Sequence, residues 1–191
     1  TVTTIGEGAF DNCNNLETVT LPSNANFTEV SDYLFNGCDK LTNITIPNSV
    51  TRIGDNAFCN CKSLHNITIL ESVTTIGENA FSYSGLTSIT IPSSVTSIGA
   101  YAFQGCNSLA SITINGEIVT IQERTFDSCT SLKSIKIPDS VETIGEYVFN
   151  NCSNLQTVTI GSRVKTISTG AFYNCKGLGN ITIPANVETI E

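Results

Sequence analysis

The chain repeats from one end to the other, and that repetition limits it to one kind of architecture. Phenylalanine marks the beat at Phe10, Phe35, Phe58, Phe81, Phe103, Phe126, Phe149 and Phe172, in steps of 25, 23, 23, 22, 23, 23 and 23 residues. A fixed period in this range predicts a solenoid, because one unit cannot bury its apolar face alone and must stack on the next. No linker or shift in composition interrupts the pattern, so residues 1–191 are expected to form a single solenoid. Its first and last residues, Val2 and Ile5 against Val187 and Ile190, stand in the same phase of the repeat. The expectation is an uncapped piece of a longer array, able to self-associate end to end through exposed core.

Each unit carries two apolar blocks. The first reads Leu-x-x-Ile-x-Ile, as in Leu41, Ile44, Ile46 and in Leu132, Ile135, Ile137. Its alternation and β-branched residues predict a short strand. All five prolines, at 22, 47, 92, 138 and 184, follow that strand and close it, since proline has no ladder hydrogen to donate. The second block is Val-x-x-Ile-Gly, as in Val50, Ile53, Gly54, and predicts another extended segment ended by a turn. An acid-x-Ala-Phe stretch such as Glu78-Asn79-Ala80-Phe81 follows. It is too short for an independent helix, so a single helical or 3-10 turn packed by its phenylalanine is expected.

Composition narrows the partners. Apolar residues make up 40% of the chain and charged residues only 14%, which leaves a core-rich molecule with a largely uncharged polar surface. The net charge of −8 argues against nucleic acid, which demands lysine and arginine patches. No apolar run approaches the roughly 18 residues of a membrane span, so direct membrane insertion is not expected.

Seven of the eight cysteines stand three residues after the anchor phenylalanine: Cys13, Cys38, Cys61, Cys106, Cys129, Cys152 and Cys175. Stacking makes them a column. Disulfide geometry needs Cβ atoms about 3.8 Å apart, closer than parallel strands at about 4.8 Å bring neighbouring windings. Zinc needs four converging ligands, which a straight column lacks. The expectation is a ladder of free buried thiols. Cys59 lies off the ladder and is expected at the solvent or a turn, as the one candidate for a reactive thiol.

The residues that alternate with the strand core point outward. They form one column of Thr18, Asn43, Asn66, Ser88, Ser111, Ser134, Thr157 and Asn180, and a second of Thr20, Thr45, Thr68, Thr90, Thr113, Lys136, Thr159 and Thr182. The resulting hydroxyl and amide grid suits half-exposed strands. It is also a candidate docking face for a protein or glycan. A binding site breaks a repeat, so its most distinctive members are Glu17, His65, Lys133, Lys136 and Gln156. Two other readings of the grid are a spacer without a ligand and, from the Thr-x-Thr pairs, an ordered-water or ice-matching surface.

The remaining columns point to packing and solubility. Glu7, Asp32, Asp55, Glu78, Glu123 and Glu146 recur after the Ile-Gly turn, where an acid is expected to favour the start of a short helical turn. Strung one per unit, they do not converge as calcium ligands must. His65, the only histidine, has no nucleophile arranged beside it, and titratable groups are dispersed rather than clustered, so no catalytic residues, metal or cofactor are assigned. Tyr33, Tyr101 and Tyr147 stand two residues before their phenylalanines and are expected to pack over that column. Sequons at Asn26, Asn43, Asn66, Asn151 and Asn180 become relevant only in a glycosylating host.

The unit resembles the BspA-like (Treponema-type) leucine-rich repeats. Leu-x-x-Ile-x-Ile-Pro-x-Ser-Val-x-x-Ile-Gly-x-x-Ala-Phe-x-x-Cys matches Leu86–Cys106 position for position, and the resemblance covers the whole chain. Departures are local: two extra residues precede Phe27, one is missing near Ser84-Gly85, and Leu70, Asn115 and Gly161 replace the proline, read as bends or loosened corners. The resemblance implies a right-handed leucine-rich-repeat superhelix, β-rich with short helical or 3-10 turns, in about eight units of 22–25 residues. It further implies an extracellular or cell-surface location and adhesion to a host or matrix protein or glycan.

Overall fold

The computed structural model of the chain describes residues 1–191. Its fourteen short strands are β1 (Thr18–Val19), β2 (Glu29–Val30), β3 (Asn43–Ile44), β4 (Arg52–Ile53), β5 (Thr75–Ile76), β6 (Ser88–Ile91), β7 (Ser97–Ile98), β8 (Ser111–Ile114), β9 (Thr120–Ile121), β10 (Ser134–Lys136), β11 (Thr143–Ile144), β12 (Thr157–Thr159), β13 (Thr166–Ile167) and β14 (Thr189–Ile190). Every pairing is parallel and joins one winding to the next. The chain is a parallel β-solenoid of about eight turns.

The Leu-x-x-Ile-x-Ile blocks build the first ladder, as the pairs β1–β3, β6–β8 and β10–β12. Its register, Thr18↔Asn43, Ser88↔Ser111 and Ser134↔Thr157, turns sequence columns into spatial columns. The Val-x-x-Ile blocks build the second ladder as two four-stranded sheets, β2-β4-β5-β7 and β9-β11-β13-β14. The break between β7 and β9 falls where Asn115 replaces proline. At Pro47, Pro92, Pro138 and Pro184 the Val amide closes a turn onto the proline carbonyl, as in Val95 to Pro92 at 3.2 Å and Val141 to Pro138 at 3.2 Å, while in the first winding Phe27 donates to Asn24 at 3.1 Å. Leu70 and Gly161 close the same turn, to Val73 and Val164, but no such bond joins Ile118 to Asn115.

The acid-x-Ala-Phe stretch is neither a helix nor a 3-10 turn. It is a run of linked turns in which alternate amides leave the winding. Phe58 donates its N–H to the Ala80 carbonyl of the next winding at 2.8 Å, while Cys61 turns back to Phe58 at 3.3 Å. This alternation requires left-handed backbone at two places per winding, two residues before and two residues after each phenylalanine. Twelve non-glycine residues and four glycines hold those places, among them Asn56, Asn60, Tyr33, Tyr83, Tyr101 and Tyr147. Asparagine and glycine tolerate the conformation best, and a helix cannot form through it. With no helix there is no dipole for the acidic column to serve. Asp32 and Asp55 instead accept the backbone N–H of Asp55 and Glu78, one winding on, at 2.8 and 2.9 Å.

The interior is one apolar cluster of 51 buried residues. Seven phenylalanine contacts run through it with ring centroids 5.3–5.6 Å apart and planes within 14°. Phe27 fills the Val column despite the two extra residues before it, and is 1% exposed. Core side chains are open at both extremes, with Val2 56%, Ile183 41% and Ile190 62% exposed.

Two expectations about single residues change. Cys59 is buried, 8% exposed, and burial pushes its thiol pKa up, which removes it as a reactive-thiol candidate. Cys13, expected in the ladder of buried thiols, is exposed in the first winding. Tyr101 and Tyr147 engage charged side chains of a neighbouring winding. Tyr101 donates its hydroxyl to Glu123 Oε1 at 2.8 Å, and Tyr147 lies under the Arg124 guanidinium at 4.8 Å.

Candidate binding face

The first ladder presents the polar columns to solvent. Thr20, Thr45, Thr68, Thr90, Thr113, Lys136, Thr159 and Thr182 are all exposed, while the isoleucines between them, such as Ile89 and Ile135, are buried. This in-out alternation is the ordinary consequence of a strand with one wet face. The neighbouring column, with Glu17, His65, Lys133 and Gln156, is exposed too. His65 Nδ1 lies 3.1 Å from the Gly85 carbonyl, which accepts a hydrogen bond from the Nδ1–H tautomer.

Clefts run along the edge where this face meets the proline corner. The largest, about 720 Å³, is lined by Thr113, Asn115, Gly116, Glu117, Lys136, Asp139, Ser140 and Arg163 together with Ile112, Ile114 and Pro138. A second of about 380 Å³ includes Asn66, Thr68, Glu71, Ser88 and Thr90, and shares Asn115 with the first. A third of about 210 Å³ includes Thr20 and Thr45. The fold therefore gathers Thr113 with Lys136, Thr68 with Thr90, and Thr20 with Thr45. Glu17, His65, Lys133, Gln156, Thr159 and Thr182 stay outside these clefts.

The largest cleft opens at the corner that lacks its turn. Two of its four charges are engaged. The Asp139 carboxylate accepts the Ser162 amide at 2.7 Å and the Ser162 hydroxyl at 2.9 Å, and those bonds hold its pKa below the ordinary carboxylate value. Arg163 donates to Glu142 at 2.9 Å. The ion pairs of the chain involve Arg52, Lys62, Arg124, Arg163 and Lys165, which leaves Lys133 and Lys136, with Lys40 and Lys176, without a carboxylate partner. Ser140 Oγ is buried and has no hydrogen-bond partner, a state it shares only with Ser72. The equivalent hydroxyls of Ser49 and Ser94 reach the carbonyls of Phe27 and Val73 at 2.6 and 2.7 Å. Sequence reasoning missed Glu117, Asp139, Ser140 and Arg163. The available signal was departure from the repeat: Arg163 and Glu117 stand in a column otherwise rich in serine, and Asn115 in the proline column.

Comparison with known proteins agrees with this geometry. A family model described as "BspA type Leucine rich repeat region" matches in six copies, over residues 1–109 and 75–191. The solved structure of a leucine-rich repeat protein from Bacteroides ovatus is 33% identical with a TM-score of 0.90, covering 96% of this chain and 47% of that one. A leucine rich cell surface protein from Faecalibacterium prausnitzii is 32% identical with a TM-score of 0.62, over 97% of this chain and 58% of that one. The T. pallidum Leucine Rich Repeat protein is 31% identical with a TM-score of 0.72, over 79% and 70%. The chain thus spans about half the length of the first two. No curated protein matches it.

Proposed function

The chain belongs to the BspA-type leucine-rich repeat family, and we propose that it is a non-catalytic binding module of an extracellular or cell-surface protein, docking a protein or glycan on its first-ladder face. One observation carries this reading: the clefts that hold Thr113 and Lys136, Thr68 and Thr90, and Thr20 and Thr45 all open on that face. The similarity to a Faecalibacterium protein described as a cell surface protein supports the location. Exposed apolar side chains at the two ends, Val2 and Ile190, favour end-to-end contact with a second copy or with further windings.

A rival reading is a spacer without a ligand, favoured by the monotony of a column in which Lys136 is the only residue that is not threonine. Surface plasmon resonance against purified extracellular-matrix proteins and glycoproteins separates the two. Binding that is abolished by Thr68→Arg with Thr113→Arg, and kept in Ser97→Arg on the second ladder, supports the docking face. Equal binding by both variants removes the face from consideration. Failure to bind any probe, in a chain shown to be folded, favours the spacer.

A further inference from the structure

The largest cleft contains more than its share of departures from the repeat. Asn115 stands for proline, Lys136 for threonine and Arg163 for serine, and the register of the windings brings these three positions to one concavity. The first ladder is interrupted between β8 and β10, the two strands whose windings line the cleft. The second cleft meets the first at Asn115, so the concavity continues along the solenoid from Asn66 to Arg163. At a parallel-strand spacing of about 4.8 Å per winding, it runs roughly 20 Å.

Its chemistry selects a ligand. Two cations, Lys136 and Arg163, face two carboxylates, Glu117 and Asp139, so the formal charge of the large cleft is zero; Glu71 is the single charge of the second. Glu71 is itself engaged, accepting from the Ser93 hydroxyl at 3.0 Å and the Ser94 amide at 3.2 Å. The groups left free are amides, hydroxyls, Lys136 and Glu117, a mixture of donors and acceptors. The buried, unpartnered hydroxyl of Ser140 stands in the cleft wall. No aromatic side chain lines either cleft. A protein interface draws its energy from tyrosine, tryptophan and arginine anchors in a drier centre; this trough has no tyrosine or tryptophan, and its one arginine, Arg163, is paired with Glu142. A polyanion meets no net positive charge here and a chain of net charge −8 around it.

We infer that the trough from Asn66 to Arg163 binds an uncharged linear polysaccharide, with Asn115, Glu117 and Lys136 hydrogen-bonding sugar hydroxyls in the large cleft. This rests on the docking-face reading and names the ligand class. Without stacking, a short oligosaccharide binds weakly, with Kd on the order of 1 mM. Longer chains gain by occupying both clefts at once.

The test is a titration of the full isotope-labelled chain, followed by amide chemical shifts, with a panel of neutral cello-, xylo- and manno-oligosaccharides. Oligogalacturonate is the carboxylated counterpart. The expected result is saturable shifts at Thr113, Asn115, Gly116 and Lys136 with at least one neutral series. Lys136→Thr, which restores the threonine of its column, should weaken that binding about fivefold or more. Absence of shifts with the whole panel, shifts confined to other windings, or tighter binding of oligogalacturonate overturns the inference. The matrix-protein assay on the same samples separates the two levels. Protein binding that is lost in the Thr68→Arg, Thr113→Arg variant, with no sugar response, ends the polysaccharide assignment and leaves the docking face standing. Sugar shifts centred on Tyr83 and Tyr173 end both.

Discussion

Cys129 donates its thiol hydrogen to the backbone carbonyl of Phe103, one winding earlier, across 3.2 Å. The same carbonyl accepts the amide of Cys106 in its own winding, also at 3.2 Å. Cys38, Cys61, Cys106, Cys152 and Cys175 repeat the arrangement on Phe10, Phe35, Phe81, Phe126 and Phe149. The cysteine column is therefore not only a set of small apolar fillers. Each thiol satisfies the second lone pair of a buried carbonyl while filling a slot in the core. In the fourth winding, where one residue is missing, Ser84 Oγ instead lies 3.4 Å from Cys106 Sγ.

Thiol reactivity follows from this. Cys13 is the only exposed cysteine. An aromatic disulfide reagent should label one thiol in the native chain and all eight after unfolding. Rapid native labelling of Cys59 would contradict its burial.

Stability should also fall in alkali. Burial pushes Cys38 and Cys175 from the ordinary 9.0 up to about 11, and Cys106 up to about 12. Between those values the folded chain holds protons that the unfolded chain has released, so rising pH favours unfolding. The contribution is intact below pH 9 and is lost as the pH passes 11 to 12. Thermal melts from pH 7 to 11 should show a declining midpoint above pH 9, and Cys106→Val should flatten that decline.

Phe81 is fully buried between Phe58 and Phe103, with centroids 5.4 and 5.5 Å away. Phe81→Ala should cost about 4 kcal/mol, from lost burial plus the cavity left behind. In a solenoid each winding touches only its neighbours, so denaturant unfolding should split into two transitions rather than shift as one. A single transition at the original midpoint would show that the stack carries little of the stability.

The ring of Tyr83 covers Gly105, and a methyl group at Gly105 would overlap it. Gly105 also has φ of 68°, a left-handed conformation that costs alanine energy. Gly105→Ala should destabilise by about 2 kcal/mol. In the Tyr83→Asn background only the backbone strain should remain, so a double-mutant cycle measures the overlap. Additive effects would mean that the ring moves aside at no cost.

Asp127 is a buried carboxylate, 3% exposed, that accepts from Gln104, Arg124, Ser128 and Asn150 at 2.9–3.1 Å. Asp127→Ala leaves these donors without an acceptor and should cost about 3 kcal/mol. Asp127→Asn keeps one acceptor oxygen and should cost about half as much. Equal losses would mean that side-chain volume, and not hydrogen bonding, holds this position.

The path of the chain was legible because its signals are local and repeated. Val50-x-x-Ile53-Gly54 reads as an extended segment wherever it occurs, and the spacing of Phe58, Phe81 and Phe103 sets the height of a winding. Two features of the turn were hidden. An amide that leaves its winding looks, in sequence, like one that closes a helical turn, so Asp55 and Glu78 read as helix-start acids. The position of Cys59 one residue after Phe58 carried no outward or inward label, because left-handed residues on either side redirect it inward.

Side-chain chemistry recurring at one interval was enough to require a coil with a continuous dry interior, since no isolated winding can bury its isoleucines and phenylalanines. The meeting of Asn115, Lys136 and Arg163 was not in any local pattern. It arises from the register of β9, β11 and β13, which stacks residues more than twenty positions apart, and from a corner whose closing hydrogen bond is missing. Pairing between windings is a long-range choice, and it is this choice that places the concavity on one face of the coil.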